Sequence, residues 1–180
     1  MADVLLDACC LINLFSSGRA TEILRGLRHK WHVCEAVSDE VLFVDEMVAG
    51  KRERKMVDLQ PLVSAGLLTP CAPSALAEME LFVQYAARLD DGEAMCLALG
   101  KCRSWTVATD ERKGRRIAAE DGIAIVNTLQ VIRSWVESQT IESKTVREVI
   151  ANVTTLGRFK PGADAPSADW WRNNGGTLSG

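Results

Sequence analysis

The chain has 180 residues, 47% of them hydrophobic, which suffices for one substantial core. Twenty-one Lys and Arg against 24 Asp and Glu leave a net charge of −3. That balance argues against a protein that holds nucleic acid under a blanket of positive charge, so any such binding has to be local. No apolar run approaches the ~18 residues a membrane span needs, and the N-terminus offers neither a basic n-region nor an apolar h-region. The expectation is a cytoplasmic protein with no membrane partner.

In chain order, Asp3 to Leu6 is a short apolar strand that ends at Asp7, and Ala8 to Phe15 reads as a helix with Leu11, Leu14 and Phe15 inward. Val33 to Val37 reads as a second strand, followed by Ser38 as the N-cap of a helix. Asp39 and Glu40 then fall in its first turn, with Val41, Leu42, Val44 and Met47 behind. Gly50 to Lys55 is a polar, basic connection, and Leu67 to Pro70 a brief strand. Ser74 to Arg88 is expected to be helical, with Leu76, Met79, Phe82 and Val83 on one face. After Asp90, Asp91 and Gly92, Glu93 opens an apolar helix that Gly100 ends, and Trp105 to Ala108 is a strand stopping at Thr109 and Asp110. A helix from Glu111 to Asp121, a strand from Ile123 to Val126, and helices Thr128 to Glu137 and Ile141 to Asn152 complete the series.

Short apolar strands alternating with helices predict an α/β fold, a three-layer α/β/α sandwich around a central, mostly parallel sheet. Residues 1–156 are read as one domain. Residues 157–180 shift to Gly, Pro, Asn and Asp and are read as a C-terminal tail carrying the Trp170-Trp171 pair.

Ligands of open parallel sheets gather at the carboxyl ends of the strands, and Asp7 and Asp110 each follow an apolar strand. Glu40 follows another, and Glu93 begins a helix. Each acid alone has an ordinary explanation as a cap or first-turn residue. Together they imply a divalent metal, because converging carboxylates repel unless a cation neutralises them, and oxygen ligands favour Mg²⁺ or Mn²⁺. His29 and His32 lack zinc spacing and are read as surface or packing residues. The six cysteines form no CxxC pair and are read as reduced, mostly buried thiols. No Cys-His or Ser-His pairing for covalent catalysis is legible.

The segments that carry these acids resemble the PIN-domain superfamily. VLLDACCLINL looks like its N-terminal strand-acid-helix motif, and VCEAVSDEV is similar to the stretch that supplies its second acid. DDGEAMCLALG and WTVATDERKGRRIAAEDGIAIVNTLQVI resemble the Gly-Glu-Ala helix and the Asp-Glu-Arg-Lys-Gly-Arg-Arg segment of one VapC-like branch, and the likeness runs from about Asp3 to about Val153. The resemblance implies a PIN fold and Mg²⁺- or Mn²⁺-dependent cleavage of RNA by Asp7, Glu40, Glu93 and Asp110. It also implies a toxin of a toxin-antitoxin pair with a small antitoxin partner, and a homodimer. Two places depart from the commoner pattern: Cys9 and Cys10 stand where many relatives place a small hydroxyl residue, and only Asn127 and Thr128 follow the last strand near the fourth-acid region.

Supporting roles are expected for Thr109, which could orient a water, for Asn127 and Thr128, and for Asp91 or Asp90 beside Glu93. Arg112, Lys113, Arg115 and Arg116 are candidates for RNA or antitoxin contact, with Lys51, Arg52, Arg54 and Lys55 as a second basic cluster. The alternative reading is a catalytically degenerate PIN domain that binds RNA or protein without cutting it. A phosphatase of the aspartyl-phosphate kind fits poorly, since Cys9 stands where its second Asp belongs, and no Gly-rich phosphate loop is present.

Overall fold

The computed structural model describes residues 1–40 and 42–179. In chain order the elements are β1 (Asp3–Leu6), α1 (Ala8–Ser16), α2 (Ala20–Gly26), β2 (Lys30–Cys34), α3 (Glu35–Asp39), β3 (Phe43–Val48), β4 (Lys51–Met56), α4 (Gln60–Ser64) and β5 (Thr69–Cys71). They continue with α5 (Leu76–Ala86), α6 (Asp91–Arg103), β6 (Thr106–Ala108), α7 (Arg112–Glu120), β7 (Ile125–Val126), α8 (Thr128–Ser138), α9 (Ser143–Thr155) and α10 (Ala168–Asn173). The α/β class with a central parallel sheet flanked by helices is as expected.

The chain divides into two compact units. The first comprises Met1–Leu11, Arg28–Val41 and Asp58–Asn127. Its five-stranded sheet has the order β5-β2-β1-β6-β7, and all four pairings are parallel. Leu5, Leu6, Val33, Cys34, Val107 and Ala108 on the inner strands are buried, which is why these strands read as apolar runs without polar alternation. Helix α6 is buried from Gly92 through Gly100 and packs on β1, β2 and β6. The winding runs outward from β1 through β2 to β5, then restarts on the other side of β1 with β6 and β7. The strand order therefore reverses between β1 and β6, the point where open sheets of this kind leave a crevice.

The second unit comprises Ile12–Leu27, Leu42–Val57 and Thr128–Gly180. Helices α2 and α8 pack together within it, and Gly26 lies so close to Trp135 that a Cβ there would come within 2.9 Å of the indole. Strands β3 and β4 form a separate antiparallel hairpin whose two-residue turn puts both Ala49 (φ 48°) and Gly50 (φ 80°) in the left-handed region, the primed-turn geometry that matches strand twist. Near the C-terminus, Trp171 of α10 is fully buried, meets Phe159 edge-on at 5.6 Å and donates its indole N–H to the Thr177 carbonyl at 3.2 Å.

Several expected elements are corrected. The second strand is Lys30–Cys34, so Ser38 lies inside the short helix α3 rather than capping a helix, and Glu40 follows that helix as its C-cap instead of sitting in a first turn. Val41, expected in the same helix, lies outside the described residues, while Val44 and Met47 belong to β3. Lys51 to Lys55 is a strand, not a connection. Helix α6 continues through Gly100 to Arg103, where Ser104 (φ 55°) ends it in the left-handed conformation. Helix α5 turns its expected core face outward: Leu76, Met79 and Val83 are exposed, whereas Glu78 and Tyr85 are buried.

Candidate active site

The reversal of strand order places two acids side by side. Asp7 directly follows β1, and its backbone N–H donates to the Ala108 carbonyl at 3.1 Å, tying the end of β1 to the end of β6. Two residues beyond Ala108 comes Asp110. The Asp7 side chain is 3% exposed; Oδ1 accepts the Ala8 N–H at 2.8 Å, and Oδ2 accepts the Thr109 hydroxyl at 2.8 Å and the Cys9 thiol at 3.2 Å. Burial pushes the Asp7 carboxyl above the ordinary aspartate range, and these three hydrogen bonds pull back against it. Thr109 gives its one O–H to Asp7 while its oxygen accepts the Glu111 N–H at 3.2 Å, so in this structure it holds the first acid in place.

Asp110 is half-buried. Its N–H donates to Cys9 Sγ at 3.2 Å, and its Oδ2 accepts the Cys10 thiol at 3.5 Å. Among the described residues, Cys9, Cys10 and Asp110 are the one set of three or more His, Cys, Asp or Glu side chains whose ligand atoms all lie within 4.8 Å of one another.

Glu93 occupies the first turn of α6, which Asp90 caps by accepting the Glu93 N–H at 2.9 Å. The glutamate is 7% exposed, its Oε1 is buried without a hydrogen-bond partner, and it lies against α7, where a Cβ on Gly114 would fall 2.4 Å from Oε1. A side chain on residue 114 would therefore force this carboxylate to move from where it stands. Burial first, then the charges of Asp7, Asp90 and Glu111, raise Glu93 to about 7, with the Gly114 backbone acting in the opposite direction.

Glu40 is an exposed residue whose carboxylate rests on α6, since a Cβ on Gly92 would stand 2.3 Å from its Oε1. Desolvation, then Asp90 and Asp7, raise it above the usual range. Glu111 is raised in the same way, by desolvation and then by Asp7, Asp110 and Asp90. These mutual effects put Asp7, Glu40, Asp90, Glu93, Asp110 and Glu111 in one electrostatic neighbourhood, all within the first unit. Sequence reasoning missed Glu111; the available signal was its position directly after Asp110, at a strand end. Asp91 is exposed at the start of α6. Asn127 is buried after β7, and Thr128 opens α8, its hydroxyl accepting the Asn13 amide at 3.3 Å.

On α7, Arg112, Lys113 and Arg116 are exposed and Arg115 half-buried; Arg116 lies 3.8 Å from Glu120. The second basic cluster is partly neutralised inside its own unit: Arg52 lies 3.7 Å from Asp45 and donates to the Thr155 carbonyl at 2.8 Å, Lys55 lies 3.5 Å from Glu46, and Arg54 covers the Phe43 ring at 4.4 Å. The histidines pack on tryptophans. His32 stacks on Trp105 at 4.0 Å and hydrogen-bonds Asp3 at 2.9 Å, and His29 meets Trp31 edge-on. Among the described residues no helix is long and apolar enough to cross a membrane.

A family model described as a PIN domain matches residues 3–161. No curated protein and no solved structure matches the chain.

Proposed function

The chain belongs to the PIN-domain family, whose members are as a class nucleases, and from that premise we propose that it is a divalent-cation-dependent endoribonuclease acting through Asp7, Glu40, Glu93 and Asp110. The observation that carries this reading is Glu93. A carboxylate with one buried oxygen lacking a donor, raised to about 7 by burial first and by neighbouring carboxylates second, is a cost that an oxygen-coordinated cation relieves. The four acids would hold Mg²⁺ or Mn²⁺, which when bound supplies an activated water and charge neutralisation at the scissile phosphate.

The chain's own residues supply positioning. Asp7 is locked by Ala8 and Thr109, so its carboxylate meets a ligand without first paying rotamer entropy. Glu40 and Glu93 flank the first turn of α6, across Gly92 and against Gly114. Arg112, Lys113 and Arg115 begin the helix that starts two residues after Asp110 and would hold the phosphates flanking the cleaved bond. The resemblance of DDGEAMCLALG and DERKGRR to VapC-like sequences supports the finer proposal of a toxin restrained by a small antitoxin. The exposed Leu76, Met79 and Val83 of α5 supply an apolar stripe for the expected homodimer. Residues 157–180 are proposed to act as an appendage to the nuclease body, and their deletion should leave cleavage intact.

A second reading, a binding module that does not cut, draws on the absence of an acid directly after β7, where Asn127 stands, and on the spacing of the acids, of which, among the described residues, Asp110 alone belongs to a set of three ligand atoms within 4.8 Å. Cleavage of end-labelled structured RNAs with Mn²⁺ or Mg²⁺, with chelator, and with Asp7→Asn and Asp110→Asn separates the two. Metal-dependent cuts lost in both variants support the nuclease. RNA binding without cuts under any metal supports the module.

A further inference from the structure

Cys9 and Cys10 are not absorbed by an oxygen-ligand site, and their surroundings are not those of packing thiols. Cys9 is half-exposed, its sulfur receives the Asp110 backbone N–H at 3.2 Å and lies 3.6 Å from the Thr109 hydroxyl, and Cys10 sits against Asp110 Oδ2 at 3.5 Å. In tetrahedral zinc coordination, Zn–S of about 2.3 Å and Zn–O of about 2.1 Å set a sulfur and an oxygen about 3.6 Å apart and two sulfurs about 3.8 Å apart. The Cys10 sulfur and an Asp110 carboxylate oxygen, hydrogen-bonded at 3.5 Å, already stand at about that separation, and the three ligand atoms all lie within 4.8 Å of one another, so that small side-chain adjustments would close the remaining edges. Soft thiolates select zinc-class cations over Mg²⁺ or Mn²⁺.

We propose that Cys9, Cys10 and Asp110 form a site for one thiophilic divalent cation of the zinc class, with a fourth position open to water. Both thiols now donate to carboxylates, Cys9 to Asp7 and Cys10 to Asp110. On binding, each sulfur exchanges its proton for a bond to the metal, two protons leave to solvent, and the Asp110 backbone N–H remains on Cys9 Sγ as the outer contact that supports a thiolate ligand. Because Asp110 is shared, the cation also displaces the Mg²⁺ or Mn²⁺ of the proposed nuclease centre; only this consequence rests on the nuclease reading.

The test is titration of the full chain with Co²⁺ in the absence of RNA, followed by displacement with Zn²⁺. Expected are thiolate-to-cobalt charge-transfer bands and tetrahedral visible bands that saturate at one equivalent and vanish with Zn²⁺. They should be lost in Cys9→Ser/Cys10→Ser, reduced to one-thiolate intensity in the gentler Cys9→Ser, and kept in Cys102→Ser. No thiolate bands in the wild type, or bands that persist in the double variant, would overturn the site. Since no substrate is present, this result is independent of whether the protein cuts RNA.

Discussion

Glu78 and Glu93 lie in the same unit, on helices that pack against each other, and are 4% and 7% exposed, yet they have opposite surroundings. Glu78 accepts the Ser74 N–H at 2.6 Å, the Ala75 N–H at 3.2 Å, and two guanidinium N–H groups of Arg103 at 2.6 and 3.1 Å, which hold it down at about 2. Glu93 has other acids around it and an oxygen without a donor, and stands at about 7. A buried carboxylate supplied with every donor it needs is part of the architecture; one left short of a donor among other acids is the kind of group that marks a candidate binding site.

The largest expected difference is in catalysis. If the proposed nuclease reading holds, Glu93→Gln should lower metal-dependent RNA cleavage by at least ~100-fold, through loss of a proposed cation ligand. Glu78→Gln should leave the cleavage rate of the folded fraction unchanged, and equal losses in both variants would erase the contrast. Next comes stability. Glu78→Ala strands Arg103 and two N–H groups and should cost about 2–4 kcal/mol in denaturant unfolding.

Glu93 should show the reverse dependence on pH. Its neutral form is favoured in the fold, so without metal its contribution is fully present below its unfolded value of 4.5 and is lost as pH rises through about 7. Metal-free protein should therefore lose on the order of 1–3 kcal/mol across that window. Glu93→Gln should flatten the profile, whereas an unchanged profile would mean the carboxylate is already solvated. The smallest effect expected is that of Gly114→Ala. The added Cβ would push the Glu93 carboxylate aside and reduce cleavage about tenfold while leaving the fold intact.

How legible these features were depends on where each residue's partners lie in the chain. The strand–acid junctions at Asp7 and Asp110 could be read because inner strands of a parallel sheet are continuous apolar runs, and here their ends coincide with the acids. Strand β2 was misplaced by a few residues, since Lys30 and His32 interrupt its apolar run and the five-residue α3 is too short to show a helical period. Hairpin β3–β4 escaped because β4 is exposed along its whole length, so no hydrophobic alternation marks it. Its cross-strand pair Asp45 and Arg54 was the available clue, though turn positions filled by Ala49 and Gly50 disguise it. Helix α5 was turned inside out because its inward Glu78 and Tyr85 are satisfied by Arg103 and Asp121, distant residues that no local pattern predicts. The same limit applies at the candidate site: the acids were visible one by one, but the contact of Glu93 with Gly114 belongs to the packed helices alone.

The sheet's margins have a consequence for the protein in a crowded solution. Strand β5 offers three residues, one of them Pro70, which has no N–H to give, and β7 at the other margin offers two. A ladder needs a longer row of open donors and acceptors to recruit a foreign strand. Newly made copies should therefore resist edge-to-edge polymerisation through the margins of this five-stranded sheet.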